Sequence, residues 1–386
     1  MRFVKSLGQS FLGLLADAGG LLAGFMLAYF VSFFLQIRWA LAAYPGVLSL
    51  RGVVNGIFCG RLSTGLHLGT IRASFRDNTE DFYTLLASVF TLNVVCSLLV
   101  SLSFTFFGLS LWGLSLNEVI CMWAVLVSSM TVSFALINPI TVAFASISYK
   151  GGYDPDYLVY PVMSTLGDIV ATLCYTLVVS LAKSGAFPAL LAVAVLAVIA
   201  AAVLSMKFLE SDEYFGLLKE GVITLALVTI IVGLTGTILG EITKTIGQYP
   251  ALYMVYPAVL DTIGDVGSIV GSTLTTKLAL GEVSSDLKAF IGHIPEILGT
   301  WLASIIMFLA YSIVASLSFS STYSLYFSLL MLKANIIAIS LIVPLSLSTA
   351  IISYRYGLDP DNFVNPIVSS IADTLSSLAL LVSLMR

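Results

Sequence analysis

The segment ISYKGGYDPDYLVYPVMSTLGD, residues 147–168, is matched by ISYRYGLDPDNFVNPIVSSIAD, residues 352–373, at an offset of 205 residues. Each copy runs from an apolar stretch through a DPD turn into a second apolar stretch that contains a proline and an aspartate. A second match pairs YPGVLSLRGV, residues 44–53, with YPAVLDTIGD, residues 256–265, at an offset of 212 residues. Ordered, collinear matches of this length indicate an internal duplication.

The composition is that of a membrane protein. Hydrophobic residues make up 59% of the 386 residues and charged residues only 10%, whereas soluble domains carry about 25% charged residues. Apolar runs of about 20 residues, each able to cross a hydrocarbon core of about 30 Å, recur along the whole chain. They are too long and too continuously apolar for barrel strands. We therefore predict an all-α, polytopic membrane protein, because helices satisfy their own backbone hydrogen bonds in lipid.

Each copy predicts five spans, and one further apolar stretch separates the copies. The predicted spans are 11–36, 43–68, 82–107, 118–148 and 157–182, then 187–208, then 216–242, 254–280, 294–319, 323–352 and 362–385. The domains are accordingly a first five-helix repeat (1–183), a linker helix (184–210) and a second repeat (211–386). Eleven spans place the repeats parallel to one another. Basic residues are concentrated in alternate loops, which predicts a multi-pass cell-membrane protein with a cytoplasmic N-terminus.

Two aspartates in the predicted spans occupy equivalent places in the two repeats. Asp168 and Asp373 each follow a proline by about two helical turns, and a carboxylate at this depth costs about 2.5–3.5 kcal/mol on insertion scales. Together they carry the charge that balances one divalent cation, and magnesium prefers such oxygen ligands. Ser164 and Ser369 lie one turn earlier on the same helical faces. The alternative is that each aspartate packs between helices and is capped by a neighbouring hydroxyl.

The second spans differ between the repeats. The second repeat carries Asp261 and Asp265 at i, i+4 spacing, whereas the first carries Arg51 and Arg61. One interpretation pairs an arginine of the first repeat with Asp261 or Asp265, which would neutralise buried charge. The other makes both aspartates cation ligands. Asp17 also lies in a predicted span, but its repeat partner is not acidic, so it is a weaker candidate.

The two DPD motifs precede the fifth spans. Their aspartates can cap the helices, because Asp is favoured at the N-cap and Pro at the first helical position. They can also attract cations to a cytoplasmic vestibule. The sequence leaves both interpretations open for Asp154, Asp156, Asp359 and Asp361.

The fifth spans, PDYLVYPVMSTLGDIVATLCY and PDNFVNPIVSSIADTLSSLAL, resemble the last transmembrane helix of the MgtE magnesium channel and transporter family. The whole chain resembles the tandem solute-carrier form of that family. The resemblance implies that magnesium binds at Asp168 and Asp373, in a pore where the two repeats stand in for two protomers. It also implies that Ser164, Ser369 and Asn365 line this site, with Tyr160 at the position of Asn365 in the first repeat. The bacterial members carry cytoplasmic sensing domains, and we expect none here.

These observations predict transport of magnesium, as the transported ion and not a resident cofactor, by a chain that works as a monomeric pseudo-dimer in the lipid bilayer. A sodium-coupled exchanger, or a transporter of manganese or cobalt, is the alternative. The sequence contains neither HExxH nor GxSxG, and only two histidines, which disfavours an enzyme. Its net charge of −4 gives no indication of nucleic-acid binding.

Overall fold

The computed structural model describes residues 2–74, 77–151, 155–246, 249–279, 292–319, 324–355 and 361–385. Within these ranges the chain forms twelve α-helices and one short 3₁₀-helix, and no β-strand. The first six α-helices are α1 (Arg2–Leu14), α2 (Gly20–Phe34), α3 (Ala40–Leu68), α4 (Glu80–Ser110), α5 (Leu116–Lys150) and α6 (Pro155–Lys183). The others are α7 (Phe187–Lys207), α8 (Asp212–Ile246), α9 (Pro250–Ala279), α10 (Ile294–Ser318), α11 (Ser324–Arg355) and α12 (Asp361–Leu384). The all-α prediction is confirmed.

Eight segments of the described residues are long and apolar enough to cross a membrane, if α1 and α2 are taken as one. The count of eleven spans therefore stays a prediction. Helix α7 shows the surface that such a segment presents to lipid. Its small residues Ala194, Ala197 and Ala201 are buried against α4 and α5, whereas Leu196 and Val203 are 63% and 57% exposed. A helix that is apolar on its outward face as well is suited to a hydrocarbon solvent.

Local sequence signals set several helix ends. The Ser115 hydroxyl accepts a hydrogen bond from the Glu118 backbone, and the Glu118 carboxylate accepts one from the Ser115 backbone, so a capping box begins α5. Helix α3 ends at Gly69, whose φ of 73° is in the left-handed region that glycine adopts without strain. The predicted first span lies within one apolar segment, Phe3–Phe34, that is long enough to cross a membrane. A 3₁₀-helix at Ala16–Gly19 separates α1 from α2, and it carries Asp17.

The described chain forms two compact units that do not follow the boundaries of the sequence repeats. Unit 1 consists of Met1–Ser32 and Thr237–Arg386, and unit 2 of Phe33–Gly236. The first span of the chain is therefore part of the unit built from the second repeat, and most of α8 is part of the unit built from the first. The domain boundaries at residues 183 and 211 describe the two repeats of the sequence, and they stay a prediction.

In unit 1, glycines let the first span approach its neighbours closely. A Cβ at Gly24 would collide with the Met254 carbonyl oxygen, and one at Gly20 would lie 2.9 Å from the Cα of Ala258. The same chain segment also bonds to α10, since the Ser10 and Thr300 hydroxyls are 2.8 Å apart. The first span is thus packed tightly onto α9 and α10, as small residues permit between membrane helices.

In unit 2, α8 makes the corresponding contacts with the first repeat. A Cβ at Gly236 would collide with the Ala42 carbonyl oxygen, and these two residues correspond by the 212-residue offset to Gly24 and Met254. The Ser103 hydroxyl donates to the Thr229 carbonyl oxygen over 2.8 Å. The helix exchange is therefore reciprocal, with the same glycine used in both units.

The junction between α9 and α10 is held by an ion pair next to a buried imidazole. The Lys277 ammonium lies 2.7 Å from the Glu296 carboxylate and 3.2 Å from His293 Nδ1. Burial, with the Lys277 charge, lowers the pKa of His293 to about 4. His293 is therefore neutral near pH 7 and packs within this junction.

Candidate functional site

The second and fifth spans of each repeat are joined by a buried hydroxyl pair at equivalent positions. In unit 2 the Tyr44 hydroxyl is 2.9 Å from the Thr172 hydroxyl, and in unit 1 the Tyr256 hydroxyl is 2.7 Å from the Ser377 hydroxyl. Thr172 and Ser377 lie one turn after Asp168 and Asp373. Each unit therefore holds its fifth-span aspartate at the same register against its second span.

The two aspartates differ in their surroundings. In unit 2, Asp168 forms a salt bridge of 2.6 Å with Arg51, and the two side chains are only 2% and 6% exposed. Arg51 thus pairs within its own repeat, and the interpretation that pairs an arginine of the first repeat, Arg51 or Arg61, with Asp261 or Asp265 stays a prediction. Gly167 makes room for this pair, because a Cβ there would lie 2.5 Å from Arg51 Nη1. Asp168 is charge-compensated in this conformation.

A small cavity adjoins this salt bridge. It is lined by Arg51, Asn55, Asn93 and Ser133, among other residues. Among the described residues, Arg51 Nε and Nη1, Asn55 Oδ1 and Asn93 Nδ2 are buried without a hydrogen-bond partner. Buried polar groups of this kind bind ordered water where there is room for it. Unit 2 therefore combines a neutral ion pair with a pocket suited to water.

Unit 1 has different residues at the same positions. Ile263 stands where the first repeat has Arg51, and Ala372 stands where it has Gly167. Helices α9 and α12 pack here, since a Cβ at Gly264 would lie 3.8 Å from the Ala372 Cβ and 3.9 Å from the Ser369 hydroxyl. Oxygen-bearing side chains of both helices thus flank one helix crossing.

The predicted site residues around this crossing vary in exposure. Asp261 and Asp373 are half-buried, and Asp265 and Ser369 are exposed. In unit 2, Ser164 is half-buried. Asn365 belongs to α12, but its side chain lies outside the described residues. Asp154 and Asp359 also lie outside them, as do the side chains of Asp156 and Asp361.

One further carboxyl group lies near these residues, that of Asp17, which the sequence indicated as a weaker candidate. Asp17, from the 3₁₀-helix that interrupts the first span, is 6% exposed and lies close to Thr262 and Asp265 of α9. Asp261 is another of its charged neighbours. Asp17 lacks an acidic counterpart in the repeat, so the repeat argument missed it. The feature of the sequence that points to this region is the pair Gly20 and Gly24, because small residues at this spacing allow a close contact between membrane helices.

The carboxylates of this region do not form a closed metal cage within the described residues. Within the described ranges, no three His, Cys, Asp or Glu side chains converge closely enough to hold a metal ion directly. Magnesium fits such an open arrangement, because it commonly keeps several waters and binds through one or two carboxylates.

Comparisons with known proteins show the family to which the chain belongs. The chain is 24% identical to mouse solute carrier family 41 member 3 over 395 residues, which covers 94% of this chain and 79% of that protein. It is 23% identical to rat solute carrier family 41 member 3, with 89% and 78% covered. No solved structure matches the chain significantly. The model of the MgtE family, described as divalent cation transporters, matches twice, at residues 44–178 and 256–383. The chain belongs to the MgtE family of divalent cation transporters.

Proposed function

We propose that this chain transports magnesium across the cell membrane as a single chain, with Asp373, Asp261 and Asp265 of unit 1 guiding the ion. The observation that carries the proposal is the α9–α12 crossing, where Gly264 packs against Ser369 and Ala372. Asp261 and Asp265 flank Gly264 in α9, and Asp373 follows Ala372 in α12. Carboxylate and hydroxyl oxygens on facing helices are the ligands that magnesium prefers.

Asp168 takes a different role in this proposal. Its partner Arg51 already compensates its charge, so a cation can use Asp168 only if Arg51 moves. Removing one member of a buried ion pair costs about 3–5 kcal/mol, which keeps the pair closed in this conformation. That Asp168 and Asp373 share one ion, with Ser164 and Asn365 nearby, stays a prediction.

The experiment that tests the function measures magnesium entry into proteoliposomes that contain a magnesium-sensitive dye. We expect uptake down a magnesium gradient by the wild-type protein. Replacing Asp373→Asn, which removes one charge but keeps the size, should reduce the rate at least about tenfold, as expected when an interaction with a charged group of about 1.5–3 kcal/mol is lost. Glu241→Gln is the matched control, because Glu241 is exposed and pairs with Lys244; its rate should match that of the wild type.

Parallel measurements with manganese, cobalt, calcium and an imposed sodium gradient separate the alternatives. Magnesium uptake that needs no sodium supports the proposal. Uptake that depends on sodium, or that occurs only with manganese or cobalt, indicates the alternative function. Wild-type magnesium uptake by the Asp373→Asn variant would remove Asp373 from the ion path.

A further inference from the structure

We propose that a groove on the surface of unit 2 binds one phospholipid, with an acyl chain along the groove and the headgroup phosphate at Lys207. The groove lies between α4, α5 and α7 and has a volume of about 470 Å³. Such a lipid site does not depend on which ion the chain carries.

The groove has the size and the lining of a site for a hydrocarbon chain. Ligand sites usually have volumes of about 300–1,000 Å³ and mostly apolar walls. Apolar side chains from all three helices line this groove, among them Leu86, Ala87, Phe90, Ala135, Val142 and Leu204. It is open at the surface, since Ala135 and Pro139 are exposed. Because the hydrocarbon core of a membrane holds no water, an acyl chain is the group available to fill it.

The groove runs from one end of the helices towards the middle of α5. Tyr83 lies in the first turn of α4, and Lys207 is the last residue of α7. Phe90 lies two turns after Tyr83, about 10 Å along the helix. There its ring meets that of Phe134 edge-on, with the ring centres 5.5 Å apart. The groove therefore has a polar outer end and an aromatic inner end, as an amphiphile requires.

Lys207 places a positive charge where a phospholipid carries its phosphate. Its side chain is exposed, and Leu204, one turn earlier, lies in the groove. The stem of a lysine can lie along such apolar surface while its ammonium group reaches the headgroup region. The ammonium lies 5.4 Å from the centre of the Phe208 ring, and it forms no salt bridge with the residues that the structure describes. Basic residues at the end of a membrane helix attract anionic lipid groups.

The groove is specific to unit 2, because α7 forms one of its walls and has no counterpart in the repeat. We therefore expect one such lipid per chain. At the inner end, Phe134 and Asn138 line both this groove and the cavity beside Arg51. A bound acyl chain would thus contact two side chains that separate this cavity from the membrane.

The test measures the binding of defined lipids to the delipidated full chain in detergent, by native mass spectrometry. Phosphatidylglycerol and phosphatidylcholine with the same acyl chains should each bind with a stoichiometry of one. Diacylglycerol with these chains lacks the phosphate, so it should bind at least about tenfold more weakly, as expected when an interaction with a charged group is lost. Lys207→Gln should weaken phospholipid binding by a similar factor and leave diacylglycerol binding unchanged. Lys5→Gln is the matched control, because Lys5 is an exposed lysine of α1; it should bind as the wild type.

A second variant fills the groove itself. Ala135 is exposed, so the larger side chain of Ala135→Trp should displace lipid and not the core, and binding of both phospholipid and diacylglycerol should be lost. Ala192→Trp, at an exposed position of α7 that does not line the groove, should bind as the wild type.

Thermal unfolding separates loss of the site from loss of the fold. Without added lipid, Ala135→Trp should unfold at the wild-type temperature. Phospholipid should raise the unfolding temperature of the wild type and of Ala192→Trp, but not that of Ala135→Trp. If Ala135→Trp does not fold, Lys207→Gln decides the outcome, since it changes only an exposed side chain.

Three results would overturn the lipid site. The first is diacylglycerol binding as tight as that of the phospholipids, and the second is an equal loss of affinity in Lys207→Gln and Lys5→Gln. The third is unchanged phospholipid binding by a folded Ala135→Trp variant. Ion transport enters none of these measurements, so a failure of the proposed function would leave them decisive.

Discussion

At the residue scale, the Arg51–Asp168 salt bridge depends on the absence of a side chain at Gly167. The guanidinium occupies the space where a Cβ of residue 167 would lie, and the second repeat has Ile263 and Ala372 at these two positions. We predict that Gly167→Ala lowers the free energy of unfolding by about 1–3 kcal/mol, because overpacking displaces Arg51. In an Arg51→Ile background the same substitution should cost little. Denaturation in detergent with increasing SDS measures both values.

The double-mutant cycle gives the decisive comparison for this prediction. Arg51→Ile alone should destabilise the protein by about 3–5 kcal/mol, because it leaves Asp168 buried without its cation. The coupling between positions 51 and 167 should then be within the range of about 0.5–3 kcal/mol that is usual for residues in contact. An equal cost of Gly167→Ala in both backgrounds would show that Arg51 does not fill this space.

At the element scale, the contact between α2 and α9 depends on the absence of a side chain at Gly24. A methyl group there would collide with the Met254 carbonyl oxygen, and a helix backbone cannot move as cheaply as a side chain. We predict that Gly24→Ala lowers the free energy of unfolding by about 1–3 kcal/mol.

Gly8 provides the control for this element. It lies in α1 with no atom within 4 Å of a built Cβ, so Gly8→Ala should stabilise the helix by up to about 1 kcal/mol. The same SDS titration compares the two variants. Equal effects of Gly8→Ala and Gly24→Ala on stability would mean that helix propensity, and not the close contact with Met254, determines the result.

At the scale of the whole molecule, the exchange of first spans predicts which halves of the chain can be cross-linked. Ser10 and Thr300 have hydroxyls 2.8 Å apart, although they belong to different repeats. We expect Ser10→Cys with Thr300→Cys, in a background without the four native cysteines, to form a disulfide on mild oxidation. With a protease site inserted at residues 208–211, the two halves should stay joined on a non-reducing gel after cleavage.

A pair within the second half is the control for this experiment. The Ser312 and Ser328 hydroxyls of the second half are 2.8 Å apart, so Ser312→Cys with Ser328→Cys can cross-link α10 to α11 but cannot join the cleaved halves. Separation of the halves in the Ser10–Thr300 variant, despite complete oxidation of its thiols, would contradict the exchange of first spans.

The sequence by itself determined the helical membrane class, the duplication and the main acidic residues. These are properties of local composition and of matching segments, so hydropathy, charge and repeat offset are enough to find them. The prolines inside the helices, Pro45 with Pro257 and Pro139 with Pro344, show the same regularity. The sequence also identifies three acidic candidates, Asp261, Asp265 and Asp373, because a carboxylate within a membrane span is energetically costly and usually functional.

Only the tertiary structure decided which spans pack together. The packing of the spans in turn decided which side chains contact the aspartates. In lipid every face of a span can be apolar, so hydropathy does not indicate which face meets which neighbour. Small residues such as Gly20 and Gly24 set those contacts, and their effect appears only when the opposing backbone is in place. The structure therefore paired Arg51 with Asp168 and brought Asp17 to Asp265, because both depend on contacts between helices far apart in the chain.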